Sequence, residues 1–298
     1  MLSLAGIFPP VPTAFDAEGN LALDRFQANI RRLCDAGVRG VVVLGSNGEY
    51  TYLSEAEKLD VIRAAMEALP PGKLGLVGTG CESTRATVAL TEEAARLGAH
   101  GVMVVHPFYY KPLMTKPALL QHYRAVAKAS PVPVMLYSVP KFTGFDLPVD
   151  VVAELSQEEN IVGIKDSSGN VIQLHEIILK SRPGWNVVVG TASALLAALS
   201  IGVTGGVLAL ANVAPAECVE LFERFHRGDL QGARALQASL LPVNQAVGGS
   251  MGIPGVKAGM EIMGYYGGPP RLPLLPLGEK ERAVLLGLLA NAGLTKGA

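Results

Sequence analysis

Short runs of apolar, mostly β-branched residues recur along the chain, and each is followed by a longer stretch whose apolar positions return every three or four residues. The runs fall at 41–44, 74–77, 102–105, 132–136, 161–164, 187–189 and 206–208, and with a first strand near Gly6–Phe8 the count reaches eight. Near-continuous apolar strands belong to a parallel sheet buried on both faces. Eight alternating βα units close naturally as a barrel, so the pattern predicts an α/β fold, a (β/α)8 TIM barrel.

Local signals agree with that reading. Ser54-Glu55-Ala56-Glu57 has the form of a capping box opening a helix that runs to about Leu69, and Ser83 or Thr84 is placed to cap the next helix. Gly37 and Gly98 stand where helices should end. Residues 214–298, after the eighth strand, are more than one closing helix needs. The expected organisation is a barrel core over 1–213 that carries the active site, then a closing helix and a C-terminal helical subdomain over 214–298. Within the latter, Gly264-Tyr265-Tyr266-Gly267-Gly268-Pro269-Pro270 reads as a turn between helices. A doubly wound open sheet is the competing architecture, but it calls for a Gly-rich phosphate loop after the first strand. The chain has Phe8-Pro9-Pro10-Val11-Pro12-Thr13 there.

Composition narrows the classes of function. Hydrophobic residues make up 49% and charged residues 17%, enough apolar material for a large core. Lys plus Arg total 25 against 26 Asp plus Glu, without a basic run, so a nucleic-acid partner is not expected. Cys34, Cys81 and Cys218 are odd in number and widely spaced, which suits neither a disulfide framework nor a zinc site and fits a reducing cytoplasm. The segment 1–10 lacks a basic start and carries two prolines, unlike a signal peptide. No apolar run approaches the roughly 18 residues of a membrane span.

In such a barrel the chemistry sits at the C-terminal ends of strands, so polar residues that end apolar runs are the candidates. Lys165 ends Asn160-Ile161-Val162-Gly163-Ile164-Lys165, which aims an amine into a crowded, poorly hydrated mouth. Desolvation there disfavours the ammonium, and a neutral amine attacks a carbonyl to form an imine. The plainer alternatives are a rim lysine or a pair with Asp166. Tyr137 closes the preceding strand and suits the proton transfers of imine formation, although a lone strand-end tyrosine is more often packing. In Gly45-Ser46-Asn47-Gly48, two glycines free the backbone to meet an anion while Ser46 and Asn47 add donors; the alternative is a simple βα turn. Tyr109 after the fourth strand extends a proton relay or packs as an aromatic, and His106 is expected at the rim. The five histidines show no metal-binding spacing, and no Gly-x-Ser-x-Gly elbow is present.

Taken together, Gly45-Ser46-Asn47-Gly48-Glu49, Tyr137-Ser138-Val139-Pro140, Gly163-Ile164-Lys165-Asp166-Ser167 and Gly252-Ile253-Pro254-Gly255 resemble the dihydrodipicolinate synthase and N-acetylneuraminate lyase family of class I aldolases over nearly the whole chain. The resemblance implies that Lys165 forms the Schiff base, that Tyr137 shuttles protons and that Ser46 relays them. It further implies that Ser46 and Asn47 bind the 2-oxo acid carboxylate, with Gly190, Val207 and Ser167 also at the substrate. Tyr109 matches a tyrosine lent across a tight dimer interface, which implies a homotetramer built as a dimer of dimers. No cofactor is implied beyond the covalent imine on Lys165, and the partner is a small 2-oxo acid.

Within the family, the chain is most similar to 4-hydroxy-2-oxoglutarate aldolase, through Gly80-Cys81-Glu82-Ser83-Thr84, Leu136-Tyr137-Ser138-Val139-Pro140, Ala209-Leu210-Ala211-Asn212-Val213 and Gly264-Tyr265-Tyr266-Gly267-Gly268-Pro269. The lysine-biosynthetic synthase typically has two threonines in place of Ser46 and Asn47, and an arginine in place of Phe142. A phenyl ring cannot grip a carboxylate as a guanidinium does. Lys141 and Lys111 are then the rim cations available to a second substrate carboxylate. The expected activity is cleavage of 4-hydroxy-2-oxoglutarate to pyruvate and glyoxylate. The alternatives are dihydrodipicolinate synthase or another 2-oxo acid aldolase or dehydratase and, outside catalysis, a 2-oxo acid sensor on the same fold.

Overall fold

The computed structural model describes residues 2–295; residues 1 and 296–298, at the outer ends of the two expected segments, lie outside it. One sheet of parallel strands contains β1 (Gly6–Phe8), β2 (Gly40–Val43), β3 (Leu74–Gly78), β4 (Gly101–Val105), β5 (Val134–Ser138), β6 (Ile161–Asp166), β7 (Asn186–Val189) and β8 (Gly205–Val207). From β2 to β8 each strand pairs with its successor, and β1 pairs with β8, setting Gly6 opposite Gly205 and Phe8 opposite Val207. Residues just past β1 close the barrel: Val42 N donates to Pro9 O at 3.0 Å and Val11 N donates to Val42 O at 2.8 Å. A parallel ladder bonds the residues that flank the paired position, so Pro10, paired with Val42, can lack an N–H there without loss. The fold is thus the (β/α)8 barrel that the apolar pattern predicts.

Alternation along the strands separates two apolar regions. Val42, Met103, Met135, Val188 and Val207 pack inside the barrel, whereas Val41, Val43, Val104, Leu136, Ile164 and Val187 pack outward under the helices. The outer layer comprises α1 (Leu23–Asp35), α2 (Glu55–Ala68), α3 (Thr84–Arg96), α4 (Lys116–Ala129), α5 (Pro140–Thr143), α6 (Val149–Leu155), α7 (Val171–Lys180), α8 (Leu195–Ser200) and α9 (Pro215–His226). The capping box of α2 is present: Glu57 N donates to Ser54 Oγ at 3.2 Å and Ser54 N to Glu57 Oε2 at 2.8 Å. Ser83, rather than Thr84, caps α3.

Beyond α9, which lies against β1 and α8, come α10 (Leu230–Asn244), a π-helical turn (Gln245–Ser250), α11 (Gly252–Ile262) and α12 (Glu279–Asn291). Leu285 and Leu289 of α12 and Val256 of α11 join the apolar cluster that fills the space under the barrel helices, so the core is continuous across residues 213 and 214. Among the described residues no helix is long and apolar enough to cross a membrane.

Candidate active site

The register of β5 and β6 sets Tyr137 directly opposite Lys165. Both have the parity that faces the barrel interior, because Leu136 and Ile164 beside them pack outward. Lys165 is 4% exposed and Tyr137 5%, and Lys165 Nζ lies 4.1 Å from the centroid of the Tyr137 ring. Among the described residues, ion pairs engage Lys116, Lys180 and Lys257 but not Lys165. Asp166, one residue on, has the opposite parity, so the pairing of Lys165 with Asp166 does not form. Its carboxylate instead accepts from Ser168 N at 2.9 Å and Gln173 Nε2 at 2.9 Å. Burial pushes the Asp166 carboxyl up, with those hydrogen bonds opposing.

The turn after β2 completes the floor. Leu44 and Glu49, both non-glycine, adopt left-handed φ values of 54° and 53° on either side of the single helical turn Ser46–Gly48. Such positions persist only where surrounding structure holds them. Thr13 Oγ1 donates to Gly48 O at 2.6 Å, one of the contacts that does so. Ser46 Oγ lies 3.3 Å from Tyr137 Oη, within reach of proton exchange. Two buried polar atoms, Asn47 Nδ2 and Ser167 Oγ, have no hydrogen-bond partner in the protein. Buried donors left free carry a desolvation cost, so they mark where a ligand's acceptors belong. Gly190 is required beside them: a Cβ there would come 1.8 Å from Ser167 Oγ, and Gly190 N donates to Asp166 O at 2.7 Å.

A cavity of about 550 Å³ brings Lys165, Tyr137, Ser46, Asn47, Ser167, Gly190 and Val207 to one surface. Tyr109 is not in it; its ring is 75% exposed beyond β4, while its backbone N–H donates to Glu82 Oε2 at 2.9 Å. Lys111 is also outside it, whereas Lys141 and Phe142 line its mouth. His106, expected at the rim, is wholly buried against Phe145 with ring centroids 4.3 Å apart, and burial pulls its imidazole pKa down. Alternation from Val104, outward, and Val105, inward, turns it under the helix layer, which outweighs its polarity.

Several wall residues escaped the strand-end reading. Tyr50 lines a small hollow together with Ser46 and Tyr137, and burial, reinforced by Tyr137, pushes its hydroxyl pKa well up. Ser193 and Asn244 line the main cavity and bond to each other, Nδ2 to Oγ, at 2.6 Å. The π-helical turn adds Val247 and Gly248, and Gly249 O accepts from Lys141 Nζ at 3.1 Å. π-helical turns gather at functional sites. Gly248-Gly249 within a helical pattern, six residues after Pro242, was the sequence signal for this one.

This arrangement offers a buried primary amine, a phenol hydrogen-bonded to a serine, and free donors able to hold a carboxylate. The model of the Dihydrodipicolinate synthetase family matches residues 3–292. A Halobacterium salinarum protein named as an uncharacterized DapA-like lyase is 40% identical, over 98% of this chain and 95% of its own. The 4-hydroxy-tetrahydrodipicolinate synthase of Methanoculleus marisnigri is 36% identical, over 97% of this chain and 99% of its own. YagE, an E. coli prophage protein of the dihydrodipicolinic acid synthase family solved in complex with pyruvate, superposes with a TM-score of 0.93 at 32% identity, over 98% of this chain and 99% of its own.

Proposed function

The chain belongs to the dihydrodipicolinate synthetase family, and on that premise we propose that it cleaves 4-hydroxy-2-oxoglutarate to pyruvate and glyoxylate through an imine on Lys165. Members of the family are lyases of the class I aldolase type that form a Schiff base with pyruvate and need no metal. The observation that carries the assignment to this site is the buried, unpaired Lys165 amine over the Tyr137 ring, with Ser46 hydrogen-bonded to the phenol.

In this reading the substrate carboxylate next to the ketone takes the free donors of Asn47 and Ser167. Lys165 Nζ then attacks C2, and Tyr137, backed by Ser46, supplies the proton that lets the carbinolamine oxygen leave as water. As the C4 hydroxyl gives its proton to the Tyr137 phenolate left by that step, the C3–C4 bond breaks and its electron pair passes into the iminium. Glyoxylate departs and leaves an enamine. Protonation at C3 and addition of water release pyruvate and restore the amine. Residues 1–213 supply these reacting groups, and 214–298 supply the opposite wall through Asn244 and the π-helical turn.

The second carboxylate of the substrate supports the choice within the family. Phe142 stands where a guanidinium would serve the synthase, and Lys141 lines the same mouth with its amine held by Gly249 O. The synthase reaction is the competing reading, supported by the name of the M. marisnigri relative. Three free thiols fit a reducing cytoplasm, and the exposed Tyr109, Tyr110 and Leu113 fit a dimer face in a homotetramer that carries Tyr109 to a neighbouring site.

Borohydride with pyruvate tests the imine: the expected result is a reduced pyruvyl adduct on the peptide containing Lys165, and no adduct there ends the proposal. Parallel assays with 4-hydroxy-2-oxoglutarate, and with aspartate semialdehyde plus pyruvate, choose the reaction. Faster condensation of the second pair assigns the synthase activity, and adduct formation without turnover of either assigns a sensor.

A further inference from the structure

We propose that the buried Lys257–Glu49 ion pair is a positioning device that lashes the Ser46–Asn47 turn to α11 and so sets the affinity of the site for a 2-oxo acid carboxylate. Neither residue touches the reacting atoms in the mechanism above. Lys257 Nζ lies 2.6 Å from Glu49 Oε1, and the two side chains are 2% and 0% exposed. Lys257 Nζ also donates to Pro269 O at 2.9 Å and sits 4.5 Å from the centroid of the Phe15 ring. The second Glu49 oxygen accepts from Arg271 N at 2.8 Å. The Arg271 guanidinium is tied in turn to Glu57 at 2.7 Å and to Tyr52 O at 2.9 Å, which anchors the segment to the start of α2.

A buried ion pair is seldom more stabilising than well-packed apolar residues of the same volume, since both charges lose their water. Its distinctive effect is registry, because a charge so deep accepts few alternative placements. Registry is what this turn needs. Glu49 ends it in a left-handed conformation, and Glu49 N donates back to Ser46 O at 3.2 Å. Asn47, with its unpartnered Nδ2, lies between the two residues that this bond joins. A shift of Glu49 therefore shifts the donors that meet the ligand, while Lys165 and Tyr137 remain fixed by the β5–β6 ladder.

The proposal rests on the reading that Asn47 serves the carboxylate. Its test is the rate of borohydride trapping against pyruvate concentration, measured on the full chain beside its melting temperature. In Glu49→Gln/Lys257→Met, which removes both charges, the half-saturating pyruvate concentration should rise about 10-fold or more while the maximal trapping rate stays within about 3-fold, the size of effect expected for a misplaced charge-assisted hydrogen bond. Glu49→Asp keeps the charge but withdraws it, and should raise half-saturation by a smaller factor with the maximal rate kept; it decides the matter if the double variant does not fold. Half-saturation within about 2-fold of the unaltered protein in a folded variant overturns the proposal, as does a collapse of the maximal rate at unchanged half-saturation. If the unaltered protein forms no adduct, the functional reading fails and this proposal with it. An adduct there, with unshifted variants, refutes the role of the pair alone.

Discussion

The wall formed by β5 and β6 and the wall formed by Lys141 and the π-helical turn face the same cavity, yet they are held by different means. Tyr137 and Lys165 sit on adjacent strands, matched residue for residue by ladder hydrogen bonds and packed on both faces. Lys141 lies in the four-residue helix α5, is exposed, and has its amine held by one carbonyl of the turn. The first wall cannot move without disturbing the barrel. The second can change residue by residue at little cost to the fold, as loops on rigid scaffolds do. In the proposed reading, the rigid wall carries the imine chemistry and the adjustable one discriminates the partner aldehyde.

The sharpest test of the rigid wall is Lys165→Ala. It should abolish the reduced adduct and turnover altogether, with the melting temperature maintained; residual adduct at another lysine would move the chemistry elsewhere. Tyr137→Phe comes next, because it removes a proton donor and leaves the packing. It should lower kcat by about 10²- to 10⁴-fold, and a smaller loss would pass the proton work to another hydroxyl such as Tyr50. On the adjustable wall, Lys141→Met should lower kcat/KM for 4-hydroxy-2-oxoglutarate by about 10- to 100-fold, the range of one hydrogen bond to a charged group. Pyruvate trapping should be unchanged. Equal losses for substrate and pyruvate would erase the distinction between the walls.

The smallest effect lies away from both walls, in the anchor of the C-terminal segment. Hydrogen bonding to Arg271 pulls the Glu57 carboxyl down from 4.5 to about 2. A depressed carboxyl stabilises the fold fully above its ordinary pKa and loses that contribution as pH falls through the depressed value. Glu57→Gln should therefore melt about 2 °C lower near pH 6, for roughly 1 kcal/mol from a partly exposed pair. The gap should close between pH 4.5 and 2. A gap that persists at pH 2 would assign the loss to packing instead.

Much of this site was legible because strand ends are local. An apolar run that stops at Lys165 or Tyr137 places that residue at the barrel mouth by alternation alone, and two glycines around Ser46 and Asn47 advertise a backbone free to meet an anion. Asn244, Ser193 and Lys257 were not legible in the same way. Nothing near them in sequence distinguishes them from ordinary helix residues, and each meets a partner in a remote segment, Asn244 with Ser193 and Lys257 with Glu49. Tyr109 belongs to neither group: its motif is plain in the sequence, yet its ring stands away from the cavity of its own chain.

By itself the sequence determined what periodicity can carry: eight apolar runs alternating with helices, hence the barrel, and the parity that points an amine and a phenol inward from neighbouring strands. Only the tertiary structure decided what closes over them. The packing of α10 and α11 against the mouth brings Asn244 and the π-helical turn to the cavity and fits Lys257 to Glu49. Side-chain direction on a strand follows from local backbone geometry, whereas contacts between distant segments depend on how the whole chain packs.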